Sequence, residues 1–194
     1  INSDYFSPFN LVVDDAQSRM YVIAQDTDEI LVVDLETRVV ISKIKVGKHP
    51  HSVILDKSGG TAYVSNQWSD NVSIIDVNRL TSVASLQTGN GPSGLMLDAE
   101  EQFLYVVNTF ASDVSIFDLS SRQEIRRLQT GNDPTGIALS PSGDECLVTA
   151  RRANLSDYNE TLITELTLIN TRNQRALKQN VESAYLMENA AYTP

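Results

Sequence analysis

Short apolar segments separated by polar turns recur along this chain. In the clearest stretch, the segments are Ser52–Asp56, Thr61–Asn66, Asn71–Asp76 and Ser82–Leu86. Gly, Ser, Asn and Asp lie between them, as in Lys57–Gly60. Apolar segments of this length, bounded by such turn residues, are typical of β-strands. The pattern therefore predicts four consecutive strands here and leaves no room for a helix.

The same pattern repeats with a period of 42 residues. The tetrapeptides at 21–24, 63–66, 105–108 and 147–150 read Tyr-Val-Ile-Ala, Tyr-Val-Ser-Asn, Tyr-Val-Val-Asn and Leu-Val-Thr-Ala. Prolines 8, 50, 92 and 134 and glycines 47, 89 and 131 keep this register. A fixed period between about 20 and 50 residues marks a repeat architecture. Four strands per period predict an all-β protein, a β-propeller in which each repeat forms one blade.

The period also predicts the domain organisation. We expect one partial propeller over 1–194, with blades at about 8–49, 50–91, 92–133 and 134–185 and the start of a fifth at 186–194. The fourth repeat is longer, since Asp118 and its counterpart Asn170 are 52 residues apart. The ten extra residues lie near 153–162, between the second and third strands. Insertions in repeat proteins map to loops, often on the binding face. Neutral loop growth is the alternative, because lengthening a loop costs little entropy.

Strand composition predicts how each blade is oriented. Ala62-Tyr63-Val64 is apolar on both sides, as expected of a sheet covered on both faces. The fourth strands alternate charged and apolar residues, as in Ile41–Val46 and Ile125–Leu128. Charged side chains on an outer strand discourage edge-to-edge aggregation. We therefore expect the fourth strand of each blade at the outer rim.

Composition excludes several classes of partner. The formal net charge of −10 argues against nucleic acid or an anionic membrane surface as the main partner. No run of 18 apolar residues is present, so no membrane span is predicted. Cys146 is the single cysteine, which leaves neither a disulfide framework nor a cysteine metal site. We expect its side chain to be a small buried hydrophobe.

The repeat resembles a known family. Tyr63-Val-Ser-Asn66 followed by Asn71-Val-Ser-Ile-Ile-Asp76, with counterparts at Tyr105–Asn108 and Val114–Asp118, resembles the YVTN-type β-propeller repeat. The resemblance implies seven or eight blades in all, so the remaining blades would come from a longer chain or another subunit. It also implies a location that is periplasmic, at the cell surface or secreted. Propellers of periplasmic redox proteins are similar as well.

The resemblance further implies where function lies. In such propellers the loop leading into each blade and the loop joining its second and third strands share one rim, which we call the loop face. The residues that this arrangement gathers are His49, His51, Trp68, Phe110, Arg151 and Arg152, together with the 153–162 insert. Trp68 and Phe110 are candidate contact anchors for a partner. The alternative is that both rings pack over the edge of their blade.

His51 is the least repetitive of these residues. Ser93 and Thr135 hold its position in later repeats, near the mouth of the central channel. Histidine can ligate metal ions and haem iron. Two histidines flanking one proline, without a Cys-x-x-Cys-His motif or a carboxylate cluster, do not make a site, so no metal is predicted. Arg151 and Arg152 could receive an acidic partner or a cofactor carboxylate, or could be a solvated surface.

Polar residues that recur in every repeat receive a structural interpretation. Asp14, Asp56 and Asp98 occupy the first turn, and Asp34, Asp76 and Asp118 follow the third strand. An active site would need only one copy, so we expect these carboxylates to cap turns. Asn66 and Asn108 are expected to bond the local backbone. No catalytic residue is assigned, because no Ser-His-Asp order, phosphate-binding glycine loop or zinc spacing is present.

Two functions remain open from the sequence. The first is a non-catalytic binding or scaffold module that presents the loop face to a protein or small ligand outside the cytoplasm. The second is the propeller portion of a periplasmic redox protein, paired with or fused to a c-type cytochrome. In that case haem would come from a partner or from a region outside this segment, and no cofactor is assigned to the segment itself.

Overall fold

The computed structural model describes residues 6–152 and 163–182. These residues form sixteen strands in four sheets, with no α-helix among them and one short 3-10 turn, Gln25–Thr27. The first sheet contains β1 (Pro8–Asp14), β2 (Arg19–Ala24), β3 (Glu29–Asp34) and β4 (Val40–Lys45), and the second β5 (Pro50–Leu55), β6 (Thr61–Asn66), β7 (Asn71–Asp76) and β8 (Thr81–Gln87). The third contains β9 (Pro92–Leu97), β10 (Phe103–Asn108), β11 (Asp113–Asp118) and β12 (Gln123–Gln129), and the fourth β13 (Asn132–Leu139), β14 (Glu145–Arg152), β15 (Ile163–Asn170) and β16 (Arg175–Glu182).

Each sheet is an antiparallel meander of four consecutive strands, which is the blade of a β-propeller. The predicted all-β fold class is therefore confirmed. In the second blade, β6 and β7 have the predicted bounds, while β5 begins two residues before Ser52 and β8 extends one residue beyond the prediction at each end. Antiparallel neighbours joined by short turns follow directly from the spacing of the apolar segments.

Neighbouring blades pack face to face through alternate residues of their second strands. In β6, Ala62 and Val64 pack against the first blade, whereas Tyr63 packs against the third. Tyr21 and Tyr105 make the same contact toward the blade that follows theirs. Successive side chains of a strand point to opposite faces, so one strand serves two interfaces. Burying one such side chain contributes about 1.5–3 kcal/mol.

Burial is greatest in the middle strands of the blades and low in the outer strands. The innermost strands β1, β5, β9 and β13 contact one another in sequence and lie around the propeller axis. In the first three blades the second and third strands are mostly buried, while β8 and β12 are mostly exposed. Cys146 is fully buried between the third and fourth blades, and burial raises the pKa of its thiol to about 12. Both the predicted outer strand and the predicted buried cysteine are thus confirmed.

The recurring aspartates cap turns, as predicted. Asp34, Asp76 and Asp118 each accept a hydrogen bond from the backbone N–H three residues later, at 2.7–2.9 Å. In the first turns, Asp56 accepts from the N–H of Gly60 at 2.9 Å and Asp98 from that of Phe103 at 2.6 Å. These carboxylates satisfy backbone donors that the turns would otherwise leave unpaired.

The prediction that Asn66 and Asn108 bond the local backbone was wrong. Their amides bond side chains on the third strand rather than the local backbone. Asn108 Nδ2 donates to Asp113 Oδ1 at 2.6 Å and to Ser115 Oγ at 2.8 Å, and Asn66 bonds Asn71 and Ser73 in the same way. A Cβ at Gly89 would lie 2.7 Å from Asn108 Nδ2, so only glycine fits above this amide. The repeated Asn and Gly therefore form one packing unit.

Two predictions fall outside the described ranges. The insert at 153–162 connects β14 to β15, the second and third strands of the fourth sheet, and the insert itself is not described. The predicted start of a fifth blade at 186–194 likewise lies outside these ranges, so the total blade number stays a prediction. Among the described residues, no helix has the length and apolarity needed to cross a bilayer.

We expect Asn108→Ala to destabilise the fold by about 3 kcal/mol at pH 7, because it leaves the buried Asp113 carboxylate without its donor. Burial raises the pKa of Asp113, and the Asn108 hydrogen bond opposes that rise. A folded-state pKa above the unfolded value costs stability as pH rises through it, so the penalty should shrink near pH 4. Denaturant unfolding across this pH range measures the effect.

Asn66→Ala is the matched control, because its partner Asn71 carries no charge. Its destabilisation should be about 1–2 kcal/mol and independent of pH. Equal penalties for the two variants at every pH would contradict the assignment of a charge-bearing network to the third blade.

Candidate functional site

A β-bulge interrupts each innermost strand at the loop face. In β5, Pro50 pairs with Asn66 and Ser52 with Ser65, which leaves His51 as an extra residue. Thr135 is the extra residue of β13 in the same way, and the register of β1 and β9 shifts at the equivalent place. A bulge re-aims a side chain out of the regular alternation of a strand. The four bulges place this position of every repeat at the channel mouth.

The bulge places the His51 ring between the first and third blades. The centroid of its ring lies 4.9 Å from that of Phe9, which is its counterpart in the first repeat. Burial, assisted by the nearby His49, lowers the pKa of His51, while the backbone of Ser93 opposes the shift. The Nδ1 atom of His51 is buried without a hydrogen-bond partner among the described residues. His51 is therefore a neutral imidazole with one unused nitrogen at neutral pH.

Hydroxyl groups link the neighbouring blades beneath this ring. Ser65 Oγ donates to the Ser93 carbonyl at 2.7 Å, and the hydroxyls of Ser93 and Thr109 are 2.7 Å apart. Thr109 Oγ1 in turn donates to the carbonyl of Pro134 at 2.8 Å. These bonds cross from the second blade to the fourth and connect the three blades near the loop face.

Each lead-in loop, the segment between the last strand of one blade and the first of the next, is bonded to two blades. On the side of the preceding blade, the N–H of His49 donates to Asp28 at 2.8 Å and that of Gly91 to Asp70 at 2.9 Å. On the other side, the N–H of Gln67 donates to the His49 carbonyl at 3.0 Å. The loops of the loop face are thus anchored by backbone bonds that recur with the period.

The residue before the repeated proline has a left-handed backbone in all four repeats. Ser7, His49, Gly91 and Asp133 have φ of 44°, 53°, 67° and 52°. Glycine adopts this conformation without steric cost, whereas the others carry some strain. Strained backbone persists only where surrounding contacts hold it in place. The bonds on both sides of the loop supply that support.

Trp68 and Phe110 each lie over this left-handed position of their own blade. The Trp68 ring stacks on that of His49, with centroids 4.0 Å apart and planes inclined by 11°. Phe110 covers Gly91 so closely that a Cβ there would lie 2.3 Å from its ring. Even so, the residues are 68% and 62% exposed. One side of each ring therefore packs over its own blade while most of its surface faces solvent, and the role of the two rings as contact anchors stays a prediction.

One ion pair at the loop face joins the first blade to the lead-in loop of the second. Asp28 Oδ2 lies 2.7 Å from Lys48 Nζ. Although burial acts to raise the pKa of Asp28, the bonds from Lys48 and from the His49 backbone lower it overall. Arg151 is exposed at the end of β14. Arg152 belongs to the same strand and its side chain lies outside the described residues.

The structure brings His49 and Trp68 into direct contact and places His51 one bulge away at the channel mouth. Phe110 occupies the equivalent place on the next blade, while Arg151 and Arg152 lie at the fourth blade. Sequence reasoning missed Phe9, although it lies one period before His51 and its ring is 52% exposed. The 42-residue step could have identified Phe9.

The opposite rim has clefts among polar turn residues, whereas the loop face carries exposed aromatic rings. One of about 450 Å³ lies between the third and fourth blades, among polar turn residues that include Asp98, Glu100, Asp144 and Arg172. Arg172 pairs with Asp144 at 2.5 Å. Across the residues that the structure describes, no group of three or more His, Cys, Asp or Glu side chains is placed to hold a metal ion.

His51 should make stability pH-dependent. The pKa of His51 is lower in the folded chain than in the unfolded chain. The stability that depends on neutral His51 is therefore fully present above about pH 6.5 and is lost as pH falls toward the lowered pKa. We expect His51→Gln to remove this part of the pH dependence, since glutamine does not titrate. Denaturant unfolding at pH 7.5 and pH 5.5 measures it. If the free energy of unfolding changes between the two pH values by the same amount in the variant as in the unmodified chain, the assignment is contradicted.

Comparison with known proteins agrees with this architecture. The YNCE-like β-propeller family matches residues 4–156. No characterised protein sequence gave a significant match. Similar solved structures include hydrazine synthase of Kuenenia stuttgartiensis, with 19% identity and a TM-score of 0.81 over 94% of this chain and 51% of that one.

Two further structures have the same fold. Dihydro-heme d1 dehydrogenase NirN in complex with DHE has 12% identity and a TM-score of 0.73, over 90% of this chain and 38% of that one. U3-55K has 15% identity and a TM-score of 0.73, over 91% and 53%. This chain thus spans about half or less of the length of these structures, and identities this low show the fold alone. With the family matched over most of its length, the chain belongs to the YNCE-like β-propeller family.

Proposed function

We propose that this chain is a non-catalytic binding module that presents its loop face to a partner outside the cytoplasm. One observation carries the proposal. Trp68 and Phe110, at the same position of neighbouring blades, expose most of their surface while their backbones are held by the lead-in loops. Exposed aromatic residues are enriched among the anchors that dominate binding energy.

The fixed backbone strengthens this argument. The N–H of Trp68 donates to the Lys48 carbonyl at 3.1 Å, and that of Phe110 to the Asn90 carbonyl at 3.2 Å. Immobilising a side chain on binding costs about 0.5–1.5 kcal/mol of conformational free energy. Because these residues are already partly ordered in the unbound protein, the loss on binding is smaller. The recurring aspartates, which would be the first candidates for acid–base chemistry, are occupied in turn caps. The proposed location rests on the resemblance to surface and periplasmic propellers.

Site-specific photo-cross-linking tests the proposal. A photoreactive phenylalanine analogue replaces Trp68 or Phe110, and the protein is irradiated in the cell envelope of its host. We expect defined cross-linked species from both positions. Val83 is the matched control, because it is 48% exposed on β8 of the second blade, away from the loop face. Cross-links from position 83 that equal those from 68 and 110 would overturn the proposal.

A second candidate is the propeller portion of a redox protein that docks a c-type cytochrome or haem. Two observations favour it: the fold likeness to hydrazine synthase and to dihydro-heme d1 dehydrogenase, and the unused Nδ1 of the neutral His51 at the channel mouth. A neutral imidazole can ligate haem iron.

Titration of the purified chain with haem tests this candidate. A shifted Soret band that disappears in His51→Ala and survives in His49→Ala would support it. An unshifted spectrum, or a shift that both variants retain, would exclude haem ligation by His51.

A further inference from the structure

We infer that a cleft between the first and second blades, at the rim opposite the loop face, binds an alkylammonium group against the carboxylate of Asp14. This site is separate from the loop face and goes beyond the proposed binding function. The ligand is the lysine side chain of a partner polypeptide or a free aliphatic amine, since both present the same chemistry. The inference depends on one buried carboxylate oxygen that has no hydrogen-bond partner.

Asp14 ends β1 and is 6% exposed. Its Oδ1 atom accepts a hydrogen bond from the N–H of Gln17 at 3.2 Å, which caps the turn. Its Oδ2 atom is buried and has no partner among the described residues, whereas Asp56 and Asp98 in the next two repeats have no such oxygen. Arg19, which pairs with Asp14 across the two strands, donates to Gln17 Oε1 at 2.9 Å instead. A ligand that donates to Asp14 Oδ2 therefore removes the penalty of an unsatisfied buried acceptor.

The cleft has room for a small ligand beside this carboxylate. Its volume is about 370 Å³, within the range of about 300–1,000 Å³ that is typical of small-molecule sites. Gly59 lines it from the second blade, and a Cβ there would lie 3.2 Å from Asp14 Oδ2. At the next junction the equivalent residue is Glu101, whose carboxylate accepts from the N–H of Lys57 at 2.7 Å. A side chain thus bridges the second junction at this position, while glycine leaves the first without one.

Three carboxylates line the cleft, because Asp15 and Asp56 lie there together with Asp14. The basic residue among those that line it is Lys57, but its Nζ donates to the carbonyl of Ala99 on the third blade. Across the part of the chain that the structure describes, no Lys or Arg forms an ion pair with any of the three carboxylates. The cleft therefore favours a cationic ligand.

The number of free oxygens selects the kind of cation. A guanidinium group binds best when both oxygens of one carboxylate are available, and Gln17 already occupies one oxygen of Asp14. An ammonium group is a compact point charge, so a single free oxygen is enough for it. A metal ion would need more ligands, and within the described ranges no group of three or more His, Cys, Asp or Glu is placed to hold one.

The walls of the cleft suit an alkyl chain. Val12 of β1 and Leu55 of β5 line it, and both pack against the core between the first two blades. An aliphatic stem loses apolar surface to such walls while its charged end meets the carboxylate. The ligand is therefore an ammonium group on a carbon chain rather than an inorganic cation.

Titration with pentylamine tests the inference, with the backbone amides followed by NMR at pH 7 and about 150 mM salt. Salt at this concentration screens the diffuse attraction of cations to a chain of net charge −10. Pentanol is the uncharged comparison ligand, and butylguanidine is the guanidinium one. The peptide acetyl-Gly-Lys-Gly-amide presents an alkylammonium group on a polypeptide.

We expect pentylamine to cause saturable shifts of the Gln17 and Gly59 amides, with at least about fivefold weaker binding of pentanol and butylguanidine. Asp14→Asn should weaken pentylamine binding about tenfold or more, because the amide carries no charge. Asp98→Asn is the matched control, since it changes the net charge by the same amount at the same position of the third blade. Its affinity should be unchanged. Asp15 is exposed, so Asp15→Asn should fold normally and weaken binding about two- to threefold.

The comparison ligands also identify the source of the ammonium group. Binding of the lysine peptide at least as tight as that of pentylamine indicates a partner polypeptide, whereas binding of pentylamine alone indicates a free amine.

Several results would overturn the inference. They are no saturable shift with pentylamine, equal binding of pentanol, or unchanged affinity in a folded Asp14→Asn. The amide spectrum shows whether each variant is folded, and if Asp14→Asn is not, unchanged affinity in Asp15→Asn decides against the site. Calcium chloride that saturates the same amides at a lower concentration than pentylamine would assign the cleft to a metal ion and likewise overturn the inference.

Discussion

The whole architecture depends on face-to-face packing of sheets that are apolar on both sides. Tyr21, Tyr63 and Tyr105 each enter the interface with the following blade, and the residues on either side of Tyr63 and Tyr105 face the blade before. The core clusters that contain these tyrosines each join two blades, so most of the buried surface of a blade is completed by its neighbours. The 42-residue period reflects this packing, because every interface needs the same apolar positions in the same register.

Within this packing, repeated polar residues and unrepeated ones have different roles. The aspartates after the first and third strands cap turns, and the Asn108–Asp113–Ser115 network fixes the end of β10 against β11 and Gly89. Such groups recur because every blade has the same backbone donors to satisfy. Residues that differ between repeats are not required to satisfy these backbone donors. His51, Trp68 and Phe110 are all of this kind, and all lie on one face.

The backbone of the loop face is held by hydrogen bonds, while its aromatic side chains are exposed. Bulges turn one residue of each inner strand to the channel mouth, and lead-in loops bonded to two blades carry the left-handed positions on which Trp68 and Phe110 lie. Loops held in this way vary in side chain without disturbing the blades, because their backbone bonds do not involve the varying groups. The side chains of this face can therefore differ between repeats while the blades stay the same.

The sequence by itself determined the strands, the blade register, the buried cysteine and the turn caps, because these follow from local periodicity and turn chemistry. It also named His49, His51, Trp68 and Phe110, since they depart from the repeat. Only the tertiary structure decided that His51 lies in a bulge beside Phe9, that His49 stacks on Trp68, and that Phe110 covers Gly91. These relations join residues of different strands and blades, and distances between them depend on how the sheets stack rather than on their separation along the chain.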